Sequence, residues 1–309
     1  MEKCAVTIRA GGKKMDAKMQ ALNDPYPVKS CSRKHYAFIV PLLLLHLCCA
    51  LIVVVGVSKA ALVVFALATF LRCFGITAGF HRLLAHKAYK TSRTFQFVIC
   101  MFGTLAGQNG PLWWVGHHRH HHRFADTARD LHSPRQGLLW SHVGWLFSPA
   151  CVEVRSALVP DLRRLAELQF LEKHYYAVHL LFALLLVGLG EACATWRPQW
   201  GTDGFQLLVW GSVVSMVCSY HMIWSANSLG HKFGRRRFNT RDNSRNNFLV
   251  ALLTLGDGWH NNHHYLPGSA RHGFLWWELD LNYLILKLLA HLGLVWDLKE
   301  PPRPLCESR

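Results

Sequence analysis

Residues 38–57 carry no charged side chain, an apolar run close to the ~20 residues needed to cross the hydrocarbon core of a bilayer. A soluble helical fold rarely needs such a stretch, and three more follow. Residues 60–80 come after a short connection at Ser58 and Lys59. Residues 175–196 and 205–226 flank a turn that contains Arg197, Pro198 and Asp203. The pattern predicts an all-α integral membrane protein with four transmembrane helices in two hairpins. A 51% hydrophobic composition agrees with this class.

Basic residues set the expected orientation. Eight precede the first run, twelve lie in residues 81–174 and eleven lie from residue 231 onward, against one in each hairpin turn. Both termini and the large middle segment are therefore expected on the cytosolic side, of the endoplasmic reticulum or a bacterial inner membrane. Residues 1–34 read as a polar, partly disordered segment without a cleavable signal peptide, 35–297 as the membrane domain and 298–309 as a tail. The apolar stretch 95–107 is too short to span and reads as a helix dipping into the interface. Residues 274–296 read as an amphipathic helix on the membrane surface. An excess of 34 lysines and arginines over 18 acids suits anionic lipid or an acidic substrate, while nucleic-acid binding leaves the spans unexplained. The ten cysteines form no C-x-x-C pair, and most lie in apolar runs, which argues against a disulfide framework.

Twenty histidines gather where the predicted spans leave the bilayer on the cytosolic side. His81 and His86 follow the second run. His118, His121 and His122 lie in HHRHHH, Asn227 and His231 in NSLGH, and His260, His263 and His264 in GWHNNHH. Positions i, i+3 and i+4 share a helix face, so each three-histidine set can converge on one point. The set His117, His120 and His121 has the same relation, and spacing does not choose between the two registers. Five residues separate His81 from His86, about 140° around an α-helix, so their convergence requires a bend or a helix end. Nine imidazoles exceed what one ion can take, and two ions with four or five ligands each would use them all. His35, His46, His132, His142, His174, His179, His221, His272 and His291 read as ordinary side chains.

The boxes GITAGFHRLLAH, HHRHHH, NSLGH and GDGWHNNHH resemble those of the membrane acyl desaturases of the stearoyl-CoA type, over about residues 40–297. The resemblance implies a cytosolic helical cap carrying the boxes, and a diiron site that uses O2 to place a double bond at the delta-9 position of a saturated acyl-CoA. It assigns His81, His86, His118, His121, His122, His231, His260, His263 and His264 as iron ligands, with Asn227 holding an ion through water. By the same resemblance Gln108, Asn109 and Trp224 line the acyl tunnel near its bend, and Thr69 and Cys73 lie near its closed end. Relatives often have an acidic residue just before the second box, where this chain has His117, which puts an acyl-carrier contact there in doubt.

Chemistry points the same way. An unactivated C–H bond offers no polar handle, and iron with dioxygen supplies an oxidant where redox-inert zinc does not. The chain has no E-x-x-H or H-E-x-x-H motif and no flavin or dinucleotide fingerprint. Electrons must then come from a separate donor, a b5-type cytochrome or a ferredoxin with its reductase. Other expected partners are the long-chain acyl substrate and membrane lipid. A lipid hydroxylase of the same histidine-rich class, or an acyl-lipid or sphingolipid desaturase, is the nearest alternative. A metal transporter is more distant, because ionisable residues at midmembrane are isolated.

Overall fold

A computed structural model describes residues 33–307; the expectation of partial disorder for residues 1–34 falls almost wholly outside them. The protein is mostly helical. α1 (Arg33–Cys48) continues through a 3-10 turn at Cys49–Leu51 into a last helical turn, Ile52–Val55. The run predicted at residues 38–57 is thus interrupted: Pro41 removes a backbone donor inside α1, the 3-10 turn tightens the helix, and the apolar stretch Ile39–Val55 is shorter than a typical span. Among the described residues, three helices are long and apolar enough to cross a membrane: α2 (Lys59–Ala85), α7 (Tyr175–Trp196) and α8 (Gly204–His231). Two of them, α2 and α8, outrun their sequence expectations at the C-terminal end, and that extra length carries His81 and His231.

Ser58 caps α2, its hydroxyl accepting from the Ala61 amide at 3.0 Å. Past Phe74, α2 widens into a π-helical stretch, Gly75–Ala85. There the His86 amide donates to the His81 carbonyl at 3.1 Å, an i to i+5 bond. The widening puts residues five apart on one face, and the His81 and His86 rings lie 4.9 Å apart between centroids. This wide turn is the local answer to a spacing that an α-helix cannot serve.

α3 (Arg93–Leu105) lies directly on α2. A Cβ on Gly75 would stand 2.1 Å from the Gly103 nitrogen, so glycine alone allows this backbone approach. α4 (Pro111–Phe124) carries the second box and begins with proline, whose missing N–H costs nothing at a helix start. Shorter helices follow: α5 (Leu138–His142) and α6 (Ala166–Lys173), and beyond α8, α9 (Phe248–Leu253), α10 (His260–Tyr265) and α11 (Leu281–His291). The amphipathic helix expected over 274–296 is shorter, because Asp280 caps α11 and Glu278 holds the loop before it through the Phe274 and Leu275 amides. Its far end becomes strand β2 (Val295–Trp296), paired antiparallel with β1 (Lys90–Thr91). Outward faces remain apolar: Trp276 is 91% exposed, and Leu284, Leu288 and Leu292 line the same helix side.

Candidate metal centre

Two groups of histidines meet at the C-terminal ends of α2 and α8. His81, His86, His118, His122 and His263 each offer a ring nitrogen within 4.8 Å of the others, and so do His121, His231, His260 and His264. The groups adjoin through stacked His122 and His264 rings, 4.4 Å apart. Within the first, the Nε2 atoms of His86 and His118 approach to 2.8 Å, those of His81 and His263 to 3.0 Å, and those of His263 and His122 to 3.0 Å. In the second, His260 Nε2 lies 3.0 Å from that of His231 and 3.1 Å from that of His264. HHRHHH thus splits between the groups: His118 and His122 face one, His121 the other. The alternative register is not gathered here. His117 Nε2 bonds to the Glu153 carbonyl at 3.1 Å, and His120 packs on Phe124.

Four carboxylates determine which nitrogen points inward. The Nδ1–H of His81 donates to Asp257 at 2.7 Å, that of His121 to Asp130 at 3.0 Å, that of His231 to Asp126 at 3.0 Å and that of His264 to Asp242 at 2.9 Å. A proton held on Nδ1 leaves Nε2 as a bare lone pair. His260 Nε2 then stands between two lone pairs and has at most one proton to offer, while His121 Nε2 is buried with no partner. Converging lone pairs repel one another, and a cation at their centre relieves the repulsion. The donor set therefore fits two adjoining metal ions with imidazole ligands.

Protonation states support this. Burial, then the neighbouring rings, push His86, His118, His122, His260 and His263 well below the usual imidazole range. Burial takes His264 down to about 4 despite Asp242. For His121 burial is outweighed by Asp130, which raises it. The carboxylates move opposite to burial: Arg82 and His81 lower Asp257, and histidines lower Asp126, Asp130 and Asp242. Arg82 is fully buried and ties Asp257 at 2.8 Å to Asp280 at 3.1 Å. Neutral imidazole is the form in which histidine ligates metal, and the lowered rings meet that condition.

A mainly apolar cavity of about 200 Å³ opens beside the first group, with His118 and Asn227 in its wall. Gln108, Asn109 and Trp224 line it as well. Trp114 Nε1–H donates to Gln108 Oε1 at 3.3 Å while its ring stacks on His118, so cavity and histidines share a wall. The turn between α3 and α4 reaches it through positive φ at Gly107 and Asn109; a Cβ on Gly107 would strike Met216 and the Tyr220 hydroxyl at 2.5 Å. Thr69 and Cys73 are buried but outside this lining, Cys73 packing with Phe80, Ile99 and Cys100 between α2 and α3.

The fatty acid desaturase family profile matches residues 33–296. The chain belongs to the fatty acid desaturase family. It is 41% identical over 227 residues to the sn-1 stearoyl-lipid 9-desaturase of Anabaena variabilis, covering 73% of this chain and 78% of that protein. It is 40% identical over 247 residues to the acyl-CoA C20 Delta5-desaturase of Anemone leveillei, covering 79% and 75%. A chloroplastic palmitoyl-monogalactosyldiacylglycerol delta-7 desaturase of Arabidopsis thaliana is 39% identical over 246 residues, 79% and 63% of the two chains.

Sequence reasoning about this desaturase passed over its supports. Asp126, Asp130, Asp242 and Asp257 had a signal, since each lies near a histidine box in a chain with 18 acids. His132 stacks on His121 at 4.4 Å and the tilted ring of His272 packs on His263 at 4.5 Å, beyond the ordinary roles first given them. The two asparagines inside the last box fasten α10. Asn261 Oδ1 accepts from the Arg237 and Phe238 amides at 2.7 Å, and Asn262 Nδ2 donates to the His272 carbonyl at 2.9 Å. Glu172 lies over the start of α4, accepting from the Leu112 amide at 2.8 Å, where the helix dipole favours a negative charge; burial raises its pKa.

Proposed function

We propose that this enzyme inserts a cis double bond at the delta-9 position of a long saturated acyl chain, consuming O2 and two electrons for each bond formed. The observation that carries the reading is the pair of adjoining imidazole cages whose Nδ1–H groups are tied to carboxylates. His81, His86, His118, His122 and His263 would hold one iron and His121, His231, His260 and His264 the other, with Asn227 acting through water. Iron supplies the redox chemistry that lets dioxygen attack an unactivated C–H bond.

The chain's own residues supply position and dryness. The cavity brings an acyl chain alongside His118 and Asn227. Trp114 and Gln108 fix the wall between chain and cage, and Trp113 and Trp224 exclude water from it. Asp126, Asp130, Asp242 and Asp257 keep the protons on Nδ1, away from the metal-facing edge. The relatives named above act on acyl groups in lipid and on acyl-CoA, which supports an acyl substrate of either carrier. Four spans with cytosolic termini, a catalytic domain over 35–297 and a separate donor, a b5-type cytochrome or a ferredoxin with its reductase, complete the reading.

The test is expression in a desaturase-deficient host followed by fatty acid profiling, with His121→Ala as control. A new delta-9 monounsaturated acid that disappears in the variant is the expected result. An alcohol in its place would transfer the protein to the hydroxylases, and an alkene at another carbon would overturn the regiochemistry alone.

A further inference from the structure

Three histidines outside the cages form a chain of contacts across a seam in the cavity wall. His46 Nε2 on α1 lies 3.2 Å from His221 Nε2 on α8, and His221 Nδ1 lies 3.0 Å from His142 Nε2 on α5. The ends are anchored: His46 Nδ1–H donates to the Leu42 carbonyl at 2.7 Å, and His142 Nδ1 meets the Ser228 hydroxyl at 2.8 Å. Three separate elements are thus fastened by imidazoles at one place.

That place is the side of the acyl cavity. Pro41, Leu42 and Leu45 of α1 form one wall, and Met216, Tyr220 and Trp224 of α8 form the facing wall. Leu42 is the one buried side chain among the described residues of α1, whereas Leu43, Leu44 and Leu47 are 52%, 53% and 70% exposed. α1 adds only Leu42 and the half-buried Leu45 to the apolar cluster here, so its polar contacts contribute to holding it at this level. Each such contact is worth only about 1 kcal/mol net, far less than a packed apolar interface.

Resting on the desaturase reading, we propose that this seam is the passage through which an acyl chain still esterified to a bilayer lipid slides sideways into the cavity, the His46–His221–His142 chain acting as its latch. The exposed apolar face of α1 puts the seam in contact with lipid chains. Among the described residues the cavity lining contains no lysine or arginine to pair with the phosphates of a soluble carrier. His117, at the position just before the second box, is turned onto the Glu153 carbonyl.

The experiment bridges positions 46 and 221 with a cleavable dithiol reagent in His46→Cys/His221→Cys, on a background with Cys48, Cys49 and Cys218 replaced by serine. Iron-loaded enzyme in nanodiscs receives a diacyl lipid bearing a diazirine at the ninth carbon; stearoyl-CoA from water serves as the comparison substrate. Bridging should lower photolabelling of the α4 peptide containing Trp113 and Trp114 at least tenfold, and lower lipid turnover in parallel. Cleaving the bridge should restore both in the same sample, which separates a latched passage from a misfolded variant. Labelling within twofold after complete bridging overturns the passage, as does labelling of α4 by an acyl-CoA probe alone. Labelled α4 with no alkene from either substrate leaves the passage standing and removes the desaturase reading.

Discussion

The enzyme contains two histidine systems built from the same ring, and they behave differently. In the cages, rings approach through Nε2 because a carboxylate takes Nδ1–H in four of them, so lone pairs gather on a point. At the seam a carbonyl and a hydroxyl terminate a line in which His221 uses both nitrogens, so a proton can sit in each gap. Convergence with anchored protons suits a metal, and a line with shared protons suits a strap. The partner of the outer nitrogen separates the two, not the density of histidine.

The comparison breaks most sharply at a cage ligand. His263→Ala should reduce desaturation at least 100-fold and remove about half the bound iron, read by product analysis and metal quantitation; undiminished iron would show that the cage does not bind as a unit. Next, Asp242→Asn keeps shape but loses the charge on His264, and should weaken iron affinity about 10–100-fold in a chelator competition. Cys73→Trp should destabilise the protein by about 1–3 kcal/mol through overpacking at a fully buried position, read by thermal unfolding in detergent. The seam should respond least: His221→Ala should cost about 0.5–1.5 kcal/mol in thermal stability and leave iron content unchanged.

Acidity sharpens the contrast further. Burial holds His272 at about 4 and His132 at about 3 in the folded chain, below the usual 6.5. As pH falls through 6.5 the unfolded chain takes up those protons first, so metal-free protein should lose stability progressively from about pH 6.5 down to 3. Thermal unfolding in detergent across that window measures it, and a flat profile would contradict the burial of those rings.

The ligand rings were legible because i, i+3, i+4 spacing is local. Helical spacing raised both triplets but left the register of HHRHHH open, and it placed each triplet at one point, whereas His121 and His263 part from their neighbours into the other group. His81 and His86 were legible only as a puzzle, since the wide π turn that solves it leaves no hydrophobic periodicity to read. The carboxylates stood near the boxes, but which ring each would hold was not legible, because Asp126 meets His231 and Asp257 meets His81 across 105 and 176 positions of chain. The spans at α2, α7 and α8 announced themselves by length and hydropathy. The 3-10 break after α1 did not, since Cys49–Leu51 is as apolar as its neighbours.

The stretch Gly75–Ala85 has a consequence for how this lineage tolerates insertions and deletions. A wide turn is what one surplus residue makes of an ordinary helix. Deleting a single residue there would restore regular winding and swing the downstream chain by roughly 100°. His86, Arg82 or both would then leave their places, so a change of one codon's length should silence the enzyme while many substitutions in the same stretch leave it folded.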